Sequence, residues 1–190
     1  MLMPKLFIFD LDDTLLHLWI DWNGAVKKEV LGSVDGVKLD PSEHIVYVAE
    51  KASNTSERKK AVDNIFWEYE SVCLENSEFS IYAQSSGILK ELRKRGHKVA
   101  IASNNTIRLI QGVAEKAGFE VDAIRGRDSV KKAKPHPEMI FSLMDELGFD
   151  REDVIFVGDS FTDVGAGKAA EVRTIIVKPG ELDLRKVLGI

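Results

Sequence analysis

The chain has 190 residues, 44% of them hydrophobic and 30% charged, with a formal net charge of −5; this describes a soluble globular protein with room for one sizeable core and an inserted subdomain. The acidic balance argues against nucleic acid as the main partner, and the single cysteine, Cys73, excludes an intramolecular disulfide or a cysteine metal cage and fits a reducing compartment. No apolar run approaches the ~20 residues needed to cross a bilayer, and the opening Met1-Leu2-Met3-Pro4-Lys5 is too short and soon too acidic for a secretory leader, so no membrane partner and, by elimination, a cytoplasmic location are expected.

The first element is an apolar run over residues 6–9, which reads as a buried strand. Asp10, Asp12, Asp13 and Thr14 follow at once. Three carboxylates crowded at a strand end repel one another, and a divalent cation relieves that conflict, since hard oxygen ligands suit Mg²⁺. Asp10 and Asp12 are two residues apart, so in extended backbone they share a face. One can bind metal and attack while the other handles protons, and carboxylate nucleophiles are an established strategy. A calcium loop beginning at Asp10 is excluded, because its sixth position is Leu15 and its twelfth Asp21 instead of Gly and Glu. A capping box or solvated turn is the competing reading of this stretch.

Residues 17–82 read as helical, with no clear strand. Residues 25–31 look helical, and Pro41-Ser42-Glu43 is a helix start continued over 45–52. A polar segment spans 53–60. Val62, Ile65, Phe66, Tyr69 and Val72 then recur in steps of three and four, the mark of an amphipathic helix. Helices inserted directly after the first strand suggest a subdomain. Trp19 and Trp22 are expected in its core, although with Asn23 they could line a substrate pocket. His17 lies close enough to the first loop to reach a substrate, and His44 and His97 look like surface residues.

From Gln84 the alternation becomes regular. Helices are expected over 86–95, 106–117 and 137–147, ended by Gly96, Gly118 and Gly148. Strands are expected over 99–102, 121–124, 154–157 and 174–177, with further helices over 162–170 and 181–188. Strand followed by helix, four times over, means an α/β fold with a parallel sheet covered on both faces. In such sheets ligands bind beyond the carboxyl ends of the strands.

Three more polar clusters fall near that edge. Ser103-Asn104-Asn105 follows a strand and opens a helix, where a hydroxyl beside backbone N–H groups makes an anion site; a simple helix cap explains it as well. Lys131-Lys132-Ala133-Lys134-Pro135-His136-Pro137 places lysines in a loop stiffened by two prolines, so that Lys134 can stand as a fixed charge for a phosphoryl group. Lys131 and Lys132 read better as a solvated turn. Gly158-Asp159-Ser160-Phe161-Thr162-Asp163 runs from a strand into a tight turn and a helix, bringing two more acids to the same edge. Helix capping accounts for one of these acids but not for four at one edge.

On Asp10-x-Asp12-x-Thr14, Ser103, Lys134-Pro135-x-Pro137 and Gly158-Asp159-Ser160-x-x-Asp163, the chain resembles the haloacid dehalogenase-like hydrolase superfamily in its phosphatase branch, closest in general look to phosphoglycolate-phosphatase-like members. The resemblance covers nearly the whole chain and is weakest over 17–82. It implies a Rossmann-like parallel sheet sandwiched by helices, with 1–16 and 83–190 as the catalytic core and 17–82 as an inserted helical cap. It implies Asp10 as nucleophile and Mg²⁺ ligand, and Asp12 as general acid then base, giving its backbone carbonyl to the metal. Thr14 would support the turn and, with Ser103, Asn104 and Lys134, belong to the substrate-binding set, Ser103 and Lys134 holding the phosphoryl oxygens, and Asp159 and Asp163 would bind the metal. Similar proteins most often carry Gly at position 13; aspartate tolerates unusual turn geometry.

The implied activity is Mg²⁺-dependent hydrolysis of a small phosphorylated metabolite through an aspartyl-phosphate. A second aspartate in the role of Asp12 favours phosphate esters over C–halogen bonds. A phosphomutase using the same clusters and a non-catalytic phospho-ligand-binding or interaction module are the alternatives, and Mn²⁺ accepts the same oxygen ligands. Core motifs do not specify the substrate, and a monomer and a homodimer stay equally open.

Overall fold

The computed structural model describes residues 3–188, so Met1 and Leu2, with which the leader argument begins, lie outside the described residues. The chain divides into two compact units, Met1–Leu18 with Phe79–Ile190, and Trp19–Glu78.

The first unit is built on five parallel strands, β1 (Leu6–Phe9), β4 (Lys98–Ala102), β5 (Ala123–Arg125), β6 (Val154–Gly158) and β7 (Arg173–Ile176), in the order β5-β4-β1-β6-β7. Every residue of β1 and of β6 is buried, as expected of central strands covered on both faces. Helices α4 (Ser85–Lys94), α5 (Ile107–Ala117), α6 (Glu138–Leu147), α7 (Phe161–Ala170) and α8 (Leu184–Leu188) follow or precede the strands. Leu6, Ile8 and Phe156 from the sheet pack with Ile140 and Leu143 of α6 and Ala166 of α7 into one core, each fully buried aliphatic or aromatic side chain contributing about 1.5–3 kcal/mol. The chain runs outward from β1 through β4 to β5, then returns to the other side of β1 for β6 and β7. The order therefore reverses beside β1, the place where open α/β sheets leave a crevice for ligands.

Local signals set the helix ends. Thr106 accepts a hydrogen bond from the Leu109 amide to start α5, and Gly118 ends it with a left-handed φ of 64°. Among the described residues, no helix is long and apolar enough to cross a membrane.

The second unit is helical: a π-turn over Trp22–Val26 leads into α1 (Lys27–Gly32), followed by α2 (Ile45–Ala52) and α3 (Ser56–Asn76). Its core gathers Val26, Val30, Ile45, Val48, Val62, Ile65 and Phe66, with the Trp22 ring stacked on Phe66 at 5.6 Å between centroids.

Several expectations need correction. Residues 17–82 are not free of strands: β2 (Leu16–Leu18) and β3 (Phe79–Ile81) pair antiparallel. Three residues each are too few to show a period-two pattern against helical surroundings. Val72 is half-exposed at 52% and Trp19 is 64% exposed, so neither belongs to the helical core. His97 is buried: its Nδ1 accepts the Lys5 amide at 3.1 Å and its ring meets the edge of Phe7.

Candidate active site

Strand register brings the acids together. Phe9 lies opposite Ile101 of β4 and Val157 of β6, and the Asp10 amide continues the ladder by donating to the Val157 carbonyl at 2.8 Å. Asp10 thus leaves β1 level with the end of β4 and the glycine that ends β6. Asp159 comes one residue later, and Asp163 is held in the first turn of α7 by a reciprocal capping box with Ser160. The Ser160 hydroxyl donates to Asp163 Oδ2 at 2.6 Å, and the amides of Ser160 and Asp159 add bonds of 3.0 and 3.2 Å. Gly158 is required for this packing: a Cβ there would lie 2.4 Å from Asp163 Cγ.

Lys134 is the cation of the cluster. It is 1% exposed, and its Nζ donates to Asp10 Oδ1 at 2.7 Å and to Asp163 Oδ1 at 2.6 Å. The ammonium also lies 5.6 Å from the centre of the Phe156 ring, a favourable cation–π distance. The Lys134 carbonyl accepts the Asn104 side-chain amide at 3.0 Å, and α7 approaches the next residue so closely that a Cβ on Gly165 would sit 2.6 Å from Pro135 Cβ. Two elements therefore fix the lysine loop.

One carboxylate oxygen each from Asp10, Asp159 and Asp163 lies within 4.8 Å of the others. Burial pushes the Asp10 carboxyl well above the usual carboxylate range; Lys134 opposes this, and the charges of Asp163 and Asp159 reinforce it. Asp159 is pushed up to about 6, first by burial and then by Asp163 and Asp13. Asp10 and Asp163, the partners of Lys134, hold its proton on against burial. Three converging acids share one lysine charge, and the unrelieved repulsion together with an all-oxygen donor set fits a hard divalent cation.

The other expected residues are placed as follows. Thr14 is fully buried and its hydroxyl donates to Asp159 Oδ1 at 3.2 Å, tying the first loop to the last. Asp12 does not join the Asp10 cluster through its carboxylate; its Oδ1 accepts the Leu18 amide at 2.8 Å and lies 4.0 Å from His17 Nδ1. Ser103 is buried at the end of β4, donating to Asn105 Oδ1 at 2.7 Å. Asp13 takes the left-handed conformation at φ 60°, with a His17 Nδ1 contact of 2.8 Å and a 3.1 Å bond from the Tyr82 hydroxyl to its Oδ1.

Asn105 and Tyr82 were missed as supports of the site. Asn105 stands inside Ser103-Asn104-Asn105 but looks like a cap, and Tyr82 closes the stretch 17–82 that reads as helical, so no sequence signal links it to Asp13.

The sequence matches the description haloacid dehalogenase-like hydrolase over residues 4–171. Phosphoglycolate phosphatase 1 of Pseudomonas aeruginosa is 30% identical over 192 residues, covering 90% of this chain and 68% of that protein. Phosphoglycolate phosphatase of Pseudomonas fluorescens is 28% identical over 193 residues, covering 94% of this chain and 71% of its own length. Among solved structures, a haloacid dehalogenase-like hydrolase from Bacteroides fragilis superposes with a TM-score of 0.65 at 21% identity, covering 98% of this chain and 93% of that one. A predicted phosphoglycolate phosphatase from Haemophilus somnus gives 0.64 at 20% identity, covering 97% and 91%. These two likenesses bear on the fold, whereas the sequence match takes in both ends of the acidic cluster, from Asp10 to Asp163, with the lysine between them. The chain belongs to the haloacid dehalogenase-like hydrolases.

Proposed function

We propose that the chain is a divalent-metal-dependent phosphatase that moves the phosphoryl group of a small phosphorylated metabolite onto Asp10 and then onto water. The observation that carries this reading is the buried Asp10 carboxylate, in contact with Lys134 and converging with Asp159 and Asp163 beyond the strand ends. The phosphoglycolate phosphatases among its relatives support the substrate class.

A carboxylate approaching a phosphate faces repulsion of about 4 kcal/mol per charge pair at 4 Å and an effective dielectric near 20. Lys134 offsets part of this, and its shared position between Asp10 and Asp163 keeps the nucleophile oriented by two short hydrogen bonds. A cation held by Asp10, Asp159, Asp163 and the Asp12 carbonyl, Mg²⁺ by its hard-oxygen preference, would supply the rest by neutralising charge on the transferring group. Asp12 Oδ1 is fixed by the Leu18 amide at 2.8 Å, which sets the orientation of its carboxyl. It gives a proton to the leaving oxygen and takes one from the incoming water. Ser103, at the end of β4, and Asn104 beside the Lys134 carbonyl are read as the phosphoryl-holding edge. The helical unit Trp19–Glu78 is read as the cap that selects the substrate.

The test is a phosphate-release screen over phosphorylated metabolites, with Mg²⁺ and with chelator. Metal-dependent release by the wild type and none by Asp10→Asn are expected. Full release by Asp10→Asn would remove the mechanism, and conversion of a phosphosugar without free phosphate would indicate a mutase instead.

A further inference from the structure

The helical unit Trp19–Glu78 contains a groove of about 460 Å³ between the start of the unit and α3. That volume suits one small organic molecule. Its walls combine two kinds of surface. Trp19, Ile20, Tyr69 and Val72 give an apolar lining, and Trp19 and Val72 leave 64% and 52% of their surface in water. Asp21, Glu29, Glu68 and Glu78 stand around it, and the lining contains no Lys, Arg or His.

The carboxylates are not neutralised from elsewhere: among the described residues none of the four forms an ion pair with Lys or Arg. Asp21 accepts the amides of Gly24 at 2.9 Å and Ala25 at 3.1 Å, Glu29 accepts the Tyr69 hydroxyl at 2.9 Å, and Glu78 meets only the Asn76 amide at 3.4 Å. The Glu68 carboxylate has no hydrogen-bond partner among the described residues. The negative potential is felt by the phenol of Tyr69, which its bond to Glu29, then burial and the charges of Glu29, Glu68 and Asp21 keep protonated above its ordinary range.

Each candidate occupant meets this surface differently. An anion, including any phosphate ester, is repelled. A neutral apolar molecule covers Trp19 and Val72 but leaves carboxylates partly desolvated beside it, which is costly. A cation with an apolar body satisfies both, with its charge beside Glu29 and Glu68 and its body covering the exposed apolar surface of Trp19 and Val72. The volume of about 460 Å³ matches one such molecule.

We propose that this groove binds a small organic ammonium ion carrying an aromatic or branched aliphatic body, separately from the acidic cluster of Asp10. The test is calorimetry on the full chain with 2-phenylethylammonium, alongside 2-phenylethanol as its neutral isostere and tryptophan fluorescence as a second readout. Saturable one-to-one binding is expected, weakened about tenfold in the isostere and again by raising the salt concentration. Glu68→Gln combined with Glu29→Gln, which keeps an acceptor for Tyr69, should weaken the amine about tenfold with unchanged circular dichroism, and Trp19→Leu should remove the fluorescence change. Equal affinity for the two isosteres, no saturable heat at millimolar amine, binding indifferent to the Gln pair, or binding of a basic peptide without binding of the amine would each overturn the proposal.

Discussion

Replacing Lys134 with methionine removes the positive charge that two buried acids share. Methionine keeps most of the stem's volume and deletes the ammonium, so charge is the variable that changes. In the native chain Nζ lies 2.7 Å from Asp10 and 2.6 Å from Asp163, whose side chains are 9% and 0% exposed. Removing one partner of a buried pair costs about 3–5 kcal/mol, because the remaining charge is stranded. Asp10 has an escape: burial already pushes its carboxyl upward, so it takes up a proton when the lysine is gone. The lower end, about 3 kcal/mol at neutral pH, is therefore expected. For a chain of this size that lowers Tm by about 6–12 °C. Thermal unfolding followed by circular dichroism, with metal chelated, measures it; the two units can melt separately, so the transition of the sheet-containing unit is the one to follow. The deficit should shrink in acid, where Asp10 is protonated without help, and Mg²⁺ should restore more to the variant than to the wild type. A variant melting within about 1 °C of the wild type would refute the claim that Lys134 compensates buried charge.

Further outcomes follow from the same geometry. Asp159, held up to about 6, binds more protons folded than unfolded; its contribution is full below about pH 4 and is lost as pH rises through about 6, so chelated wild type should weaken over that window and Asp159→Asn should lack that slope in denaturant titrations. His97 is shifted the other way, downward by burial and then by the charges of Arg95 and Lys5; stability is lost as pH falls below the ordinary imidazole value of about 6.5, and proton NMR should find it titrating below that value, with titration at or above it contradicting the burial argument. Gly158→Ala, whose Cβ would meet Asp163 Cγ at 2.4 Å, should cost about 1–3 kcal/mol in chemical unfolding and displace a proposed metal ligand; unchanged stability and Mg²⁺ affinity would show that the turn gives way harmlessly. Asp13→Ala keeps the left-handed strain and loses the bonds to His17 and Tyr82, whereas Asp13→Gly loses only the bonds; the alanine variant should be the less stable by about 1 kcal/mol, and equal stabilities would remove the strain argument.

The sheet was legible because its strands are continuous apolar runs bounded by glycine or acid, as over 6–9 and 154–157, and buried on both faces. The convergence of Asp10, Asp159 and Asp163 was legible for the same reason, since acids placed immediately after parallel strands must meet at one edge. What the sequence hid is short or indirect. The β2–β3 pair has three residues a side, below the length at which alternation is visible. The burial of His97 depends on the Lys5 amide and the Phe7 ring, 92 and 90 positions away, and no local pattern encodes such a contact. Lys134 was singled out as a phosphoryl-binding charge; its double engagement with Asp10 and Asp163 is a property of three loops folded together.

The most direct measurement of the central claim is an acid-quenched single turnover with a hydrolysed phosphate ester, followed by peptide mass mapping of the acyl-phosphate. The account predicts a phosphoryl group on the peptide carrying Asp10, dependent on Mg²⁺ and absent from Asp10→Asn. Stoichiometric phosphate release that leaves Asp10 unmodified at every quench time, with turnover retained by Asp10→Asn, would contradict it.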